Sequence, residues 1–258
     1  MSSSVCKACG DDLIFVSEAD DENDGSGASV PDDLSLPCGC HFHWQCLLDA
    51  ASAVALSLKC PNCDGGLTEN NAGPSATNAF VANTSGVRIL AQYANEGGVQ
   101  NDLDILPSIT EEAYLISNPS ARVARAFQLM CSEGDVEGIM DLLMAHSDGQ
   151  EHGTEAQSML SYQDPLDDMK TGLHMAIEKT QVDVVWLLLW LCSTLLDDVF
   201  PCEVRQAAES SGIGRLQVGH AGDIRTRRTA SGASSEDFAL REQEKWRPFL
   251  DKGLLSIH

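Results

Sequence analysis

Basic residues are scarce: the 258-residue chain carries 16 Lys and Arg against 39 Asp and Glu, a formal charge of -23. Residues 1–121 hold only Lys7, Lys59 and Arg88 beside 17 carboxylates, a net -14. A surface of that sign repels phosphate backbones, which excludes nucleic-acid binding by this half. The short cluster of Arg225, Arg227 and Arg228 is too small to reverse the balance. A long apolar run is missing too. The most lipid-like stretch, 184–196, is 13 residues, against roughly 20 for a spanning helix. It predicts a buried helix and no membrane association. Met1 is followed by neither a basic start nor an apolar run, so the expected location is intracellular, cytoplasmic or nuclear. There is no phosphate-cradling glycine loop, no supported Ser-His-Asp order and no pair of carboxylates on a defined scaffold, so no catalytic residue is assigned.

Cysteine, by contrast, is abundant. Seven of the ten lie in the first 63 residues. Intracellular thiols stay reduced, so this bias points to metal rather than to disulfides. The order is Cys6-x2-Cys9, then Cys38-x-Cys40-x2-His43-x2-Cys46, then Cys60-x2-Cys63. Eight donors make two tetrahedral sets, and two Zn2+ are expected. His41 competes as a donor, but choosing it would leave Cys40 idle, so it is placed outside the ligand sets. Four protein donors per ion leave no open position to activate water, which argues against zinc hydrolysis. Zinc also explains how some sixty residues fold with little apolar surface, since a structural site supplies on the order of 10 kcal/mol or more. Nine carboxylates and no basic residue between Cys9 and Cys38 predict a solvated loop. A calcium loop would need a closing glutamate that is not there.

This spacing resembles the RING finger, with Cys at the fourth and His at the fifth ligand position. PHD and RING-variant fingers place more residues between those two ligands. The resemblance implies a small zinc-stabilised RING-like α/β module that recruits a ubiquitin-conjugating enzyme. It implies interleaved ligands: Cys6, Cys9, His43 and Cys46 for one ion, Cys38, Cys40, Cys60 and Cys63 for the other. It also implies an apolar docking groove, carried here by Ala8, Leu47, Leu56 and Pro61, with Leu48 as a further candidate. Residues 47–59 lack the Trp common in active members, and Asp64 follows Cys63 where many of them place a basic residue.

Residues rich in Asn, Gly and Ser end the first domain near Leu67, and 68–116 read as a linker with a short hairpin or extended segment around the turn signal NEGG. Beyond them, 124–144 and 171–190 echo each other as helix, tight turn, helix. Thr171-Gly172-Leu173-His174 resembles the opening of an ankyrin repeat, with Gly172 in place of Pro loosening the first turn. That likeness implies an all-α ankyrin-repeat solenoid over 117–258, of about three divergent units, that binds a protein partner. Its third unit would start near Cys202, and a final helix near Glu236. The 32 residues from Thr180 to Gly212 fit the period of roughly 33, with 147–158 as an inserted loop and 213–235 mostly loop. Thr171 and His174 are expected to tie turns together, Trp186 and Trp190 to fill the core, and Cys131, Cys192 and Cys202 to be buried thiols. Two functions compete: a RING-type ubiquitin ligase whose repeats select a protein substrate, and a non-catalytic adaptor.

Overall fold

The computed structural model describes residues 5–16, 29–68, 86–146, 152–211 and 214–257, and the chain divides into two units, Met1–Pro119 and Ser120–His258. The centre of the acidic insertion (17–28), residues 69–85 of the expected linker, residues 147–151 and residues 212–213 lie outside the described residues.

Alternation of polar and apolar residues sets the strands of the first unit. β1 (Ile14–Val16) pairs antiparallel with β2 (Ser29–Pro31). β3 (Asp33–Ser35) turns Leu34 inward and β4 (His41–Phe42) turns Phe42 inward; the two are cross-strand partners and both are buried. The return between these strands carries Cys38 and Cys40. Two short helices follow, α1 (Trp44–Leu48) and α2 (Ala51–Ser57). The buried face of α2 consists of Ala51, Val54 and Ala55, small enough to admit a close neighbour.

That neighbour comes from the stretch expected to be linker. β5 (Leu90–Asn95) and β6 (Gly98–Asp104) form a hairpin, and β5 pairs with β3, giving an antiparallel sheet in the order β4-β3-β5-β6. α3 (Leu106–Ser117) packs on α2, with Ile109 and Ala113 in the same buried cluster as Val54. Residues 87–117 therefore belong to the first unit. Pro107 masks α3 in the sequence, yet it sits in the first turn, where its missing N–H is not needed.

The second unit is helical: α4 (Ala121–Glu133), α5 (Val136–Ala145), α6 (His152–Leu160), α7 (Gly172–Glu178), α8 (Val182–Cys192), α9 (Cys202–Ser211), α10 (Ser235–Ala239) and α11 (Gln243–Leu250). α7 packs against both α4 and α10, and α8 against α5 and α9. Gly134, at φ +83°, turns α4 into α5, and Thr180, at φ +58°, turns α7 into α8. Gln181 donates from Nε2 to the Ser132 carbonyl at 2.9 Å, joining the two turns. Gly172 does not loosen its turn as expected. A Cβ there would lie 2.8 Å from Phe127 and 2.9 Å from Cys131, so its absence lets α7 seat against α4.

Two further expectations change. Residues 152–158 are helical rather than loop, since Ala156, Met159 and Leu160 share one buried face of α6. Helices do start near Cys202 and Glu236, as α9 and α10, and α10 opens with a Ser234–Asp237 capping box. Cys202 is exposed, whereas Cys131 and Cys192 are buried. Within 214–235, Asp223 and Arg225 form a buried ion pair of 2.7 Å, and Asp223 also accepts from the Thr194 backbone and hydroxyl. Burial opposes ionisation of Asp223, yet Arg225 and Thr194 hold its carboxyl below the usual range. Arg225 is thus no part of a free basic cluster. Among the described residues no helix is long and apolar enough to cross a membrane.

Candidate metal centre

The two Cys-x2-Cys pairs sit in matching turns. Cys6 donates its N–H to the Asp11 carbonyl, and Gly10, at φ +85°, donates back to the Cys6 carbonyl, both at 2.9 Å. Cys60 donates to Gly65 at 2.9 Å, and Asp64, at φ +56°, donates to Cys60 at 3.0 Å. Each turn ends in a left-handed residue, which Gly adopts freely and Asp more readily than most. Small bridges, Val5 with Asp12 and Lys59 with Gly66, close the bases of the turns. The pair Cys38 and Cys40 comes from the β3–β4 return, and His43 and Cys46 come from the start of α1.

Folding brings these pairs together in an interleaved order. Cys6, Cys9, His43 and Cys46 form one group and Cys38, Cys40, Cys60 and Cys63 the other, with the donor atoms of each group within 4.8 Å of one another. A tetrahedral zinc site bounded by sulfur needs donor separations of about 3.8 Å, so both sets fit the ion. Two separate four-donor clusters are consistent with two zinc ions.

The tautomer of His43 suits this role. Its Nε2–H donates to the Asp12 carbonyl at 3.0 Å, and Nδ1 lies 3.3 Å from Cys9 Sγ and 3.7 Å from Cys46 Sγ. An acceptor for the outer N–H of a ligating ring is the usual way of fixing its orientation. His41 points elsewhere, its Nδ1 lying 2.7 Å from Asp33 Oδ1. Sulfur acceptors are also served: the His43 N–H reaches Cys6 Sγ, and Asn62 Nδ2 reaches Cys40 Sγ, each at 3.4 Å. Neither Asp12 nor Asn62 was visible as a supporting residue from spacing alone. Asp12 acts through its backbone, which carries no sequence signal.

Crowding sets the electrostatics. Burial, then neighbouring thiols, push Cys38 and Cys46 up to about 12. Burial pushes Cys6 the same way, but backbone N–H groups of Cys9, His43 and Ala8 outweigh it and hold that thiol down to about 6. Several thiolates cannot share so small a volume without a cation, and a dication removes the penalty.

The residues expected to dock a conjugating enzyme do not all reach the surface. Ala8 and Pro61 are exposed, and Leu56 is 57% exposed. Leu47 is 1% exposed: α1 turns it into the core with Phe42 and Val54, so it cannot line a groove. Leu48 is half-buried.

No protein-family model, curated protein or solved structure matches the chain.

Proposed function

We propose that the protein is a RING-type ubiquitin ligase, its first unit recruiting a charged conjugating enzyme and its second taking the protein substrate. The observation that carries this reading is the interleaved pairing of the eight donors, first pair with third and second with fourth. Such bracing holds separate turns in register without an open coordination position, which suits zinc as scaffold rather than catalyst. Ala8 and Pro61, each inside a Cys-x2-Cys turn, together with Leu56, supply the exposed docking surface. The cytoplasm or nucleus would keep the thiols reduced for metal.

For the second unit, the same proposal takes α4–α5, α7–α8 and α10–α11 as divergent ankyrin-type repeats. Support comes from α7 packing between α4 and α10, and from capping boxes that open both the second and third pairs, Thr171 with His174 and Ser234 with Asp237. Arrays of this kind bind proteins.

A non-catalytic adaptor is the second reading, favoured by the burial of Leu47 and by Asp64 after the last ligand. Single-turnover discharge of ubiquitin from a panel of charged conjugating enzymes onto free lysine separates the two. Acceleration by the zinc-loaded chain, abolished in Pro61→Ala and in Cys60→Ser, is expected for the ligase. No acceleration by protein shown to hold two zinc ions would establish the adaptor.

A further inference from the structure

A groove of about 710 Å³ runs between α5, α8 and α9. α9 lines it with the small side chains of Ala207 and Ala208 beside Val204 and Glu203. Its floor is apolar, built on Met140, Trp186 and Trp190. The Trp190 Nε1–H, itself buried, has no hydrogen-bond partner among the described residues.

The rim has one sign. Glu137, Asp141, Asp183 and Glu203 all line the groove and all are exposed. Three of them sit in the first turns of α5, α8 and α9, where the helix dipole tolerates a carboxylate. That tolerance does not explain Asp141, nor why three helix starts converge on one apolar trough. All 16 Lys and Arg of the chain lie within the described residues, and none of them pairs with any of the four. The residues outside the description contain no Lys or Arg, so none of those segments supplies a cation to the site. A second copy is disfavoured as occupant by a formal charge of -23 on each molecule.

We propose that this groove docks a basic amphipathic helical segment of a partner protein. Its apolar anchors would lie on Trp186, Trp190 and Met140, and its Lys or Arg residues would face the four carboxylates. The volume lies within the usual range for a built binding cleft. This inference rests on the reading of the second unit as the partner-binding one, and it gives that unit a binding face on α5, α8 and α9.

The test uses the zinc-loaded full chain and fluorescence anisotropy of a labelled Leu/Lys amphipathic peptide, beside the same peptide with Glu replacing Lys. Binding of the basic peptide alone, weakened by added salt and at least about tenfold by Glu137→Lys/Asp183→Lys, is expected. The exposed pair Glu96→Lys/Asp49→Lys in the first unit makes the same change in net charge and should leave binding intact. Equal binding of both peptides, equal loss in both double variants, or retention in the groove variant would overturn the proposal. Retention in the groove variant would still leave partner binding elsewhere on the second unit standing. Ligase activity is read separately, in the lysine-discharge assay.

Discussion

His43 donates its Nε2–H to the carbonyl of Asp12 at 3.0 Å, which leaves Nδ1 as the ring atom turned toward Cys9 and Cys46. The bond draws its acceptor from the loop that closes the first Cys-x2-Cys turn, so ligand orientation and loop closure depend on one another.

Replacement of His43 therefore has two distinct outcomes. His43→Ala leaves three donors in its cluster and should lower the zinc content from two ions to one, the Cys38, Cys40, Cys60 and Cys63 cluster being untouched. His43→Cys restores four donors and should hold both ions, with weaker retention because no ring N–H reaches Asp12. Metal analysis after desalting against a competing chelator checks both.

Removal of zinc should unfold the two units unequally. Cys6, Cys40 and Cys60 are themselves part of the buried cluster of the first unit, which runs from Cys6 to Ala113, whereas the second unit has its own cluster from Ala124 to Leu255. A strong chelator is expected to abolish hydrogen-exchange protection across 29–68 and 87–117 while protection of α4, α7 and α8 persists. Simultaneous loss in both units would contradict this independence.

The metal donors were legible because coordination chemistry is written into their spacing: Cys-x2-Cys needs no partner strand to be recognised. The pairing of β5 with β3 had no such local sign, since Leu34 and Tyr93 meet across 59 residues of chain. Burial of Leu47 was hidden for a related reason. α1 is five residues long, too short for periodicity to say which face turns inward. The helix pairs of the second unit showed through their apolar spacing. The Asp223–Arg225 pair did not, because a buried ion pair two residues apart reads in sequence as ordinary surface charge.

Gly172→Ala tests the closeness of α4 and α7. The added methyl would lie 2.8 Å from Phe127 Cε1 and 2.9 Å from Cys131 Sγ, and both of these residues are fully buried. Overpacking of this kind costs about 1–3 kcal/mol, more than the fraction of a kcal/mol that Ala gains over Gly near a helix start. The variant should melt at lower denaturant with an unchanged slope. Adding Cys131→Ala, which clears one of the two contacts, should recover part of the loss relative to Cys131→Ala alone.

His174 makes the stability of the second unit depend on pH. Its Nδ1 lies 2.8 Å from the Thr171 hydroxyl and accepts the Thr171 backbone N–H at 3.2 Å, so the ring must be neutral for the cap to form. Burial, then the charge of Lys170, lower its pKa to about 4; the Ala233 carbonyl, Asp168 and Glu178 only partly oppose them. Unfolded, the ring returns to 6.5. Between these values the unfolded chain binds a proton that the folded chain refuses. The contribution is therefore complete above about pH 6.5 and is lost as the pH falls toward 4, by roughly 3 kcal/mol in all. Urea unfolding followed by helicity at a series of pH values should show that decline. His174→Gln should be less stable at neutral pH and show a shallower pH dependence in the same window. An equally steep decline in the variant would assign the acid sensitivity to other groups.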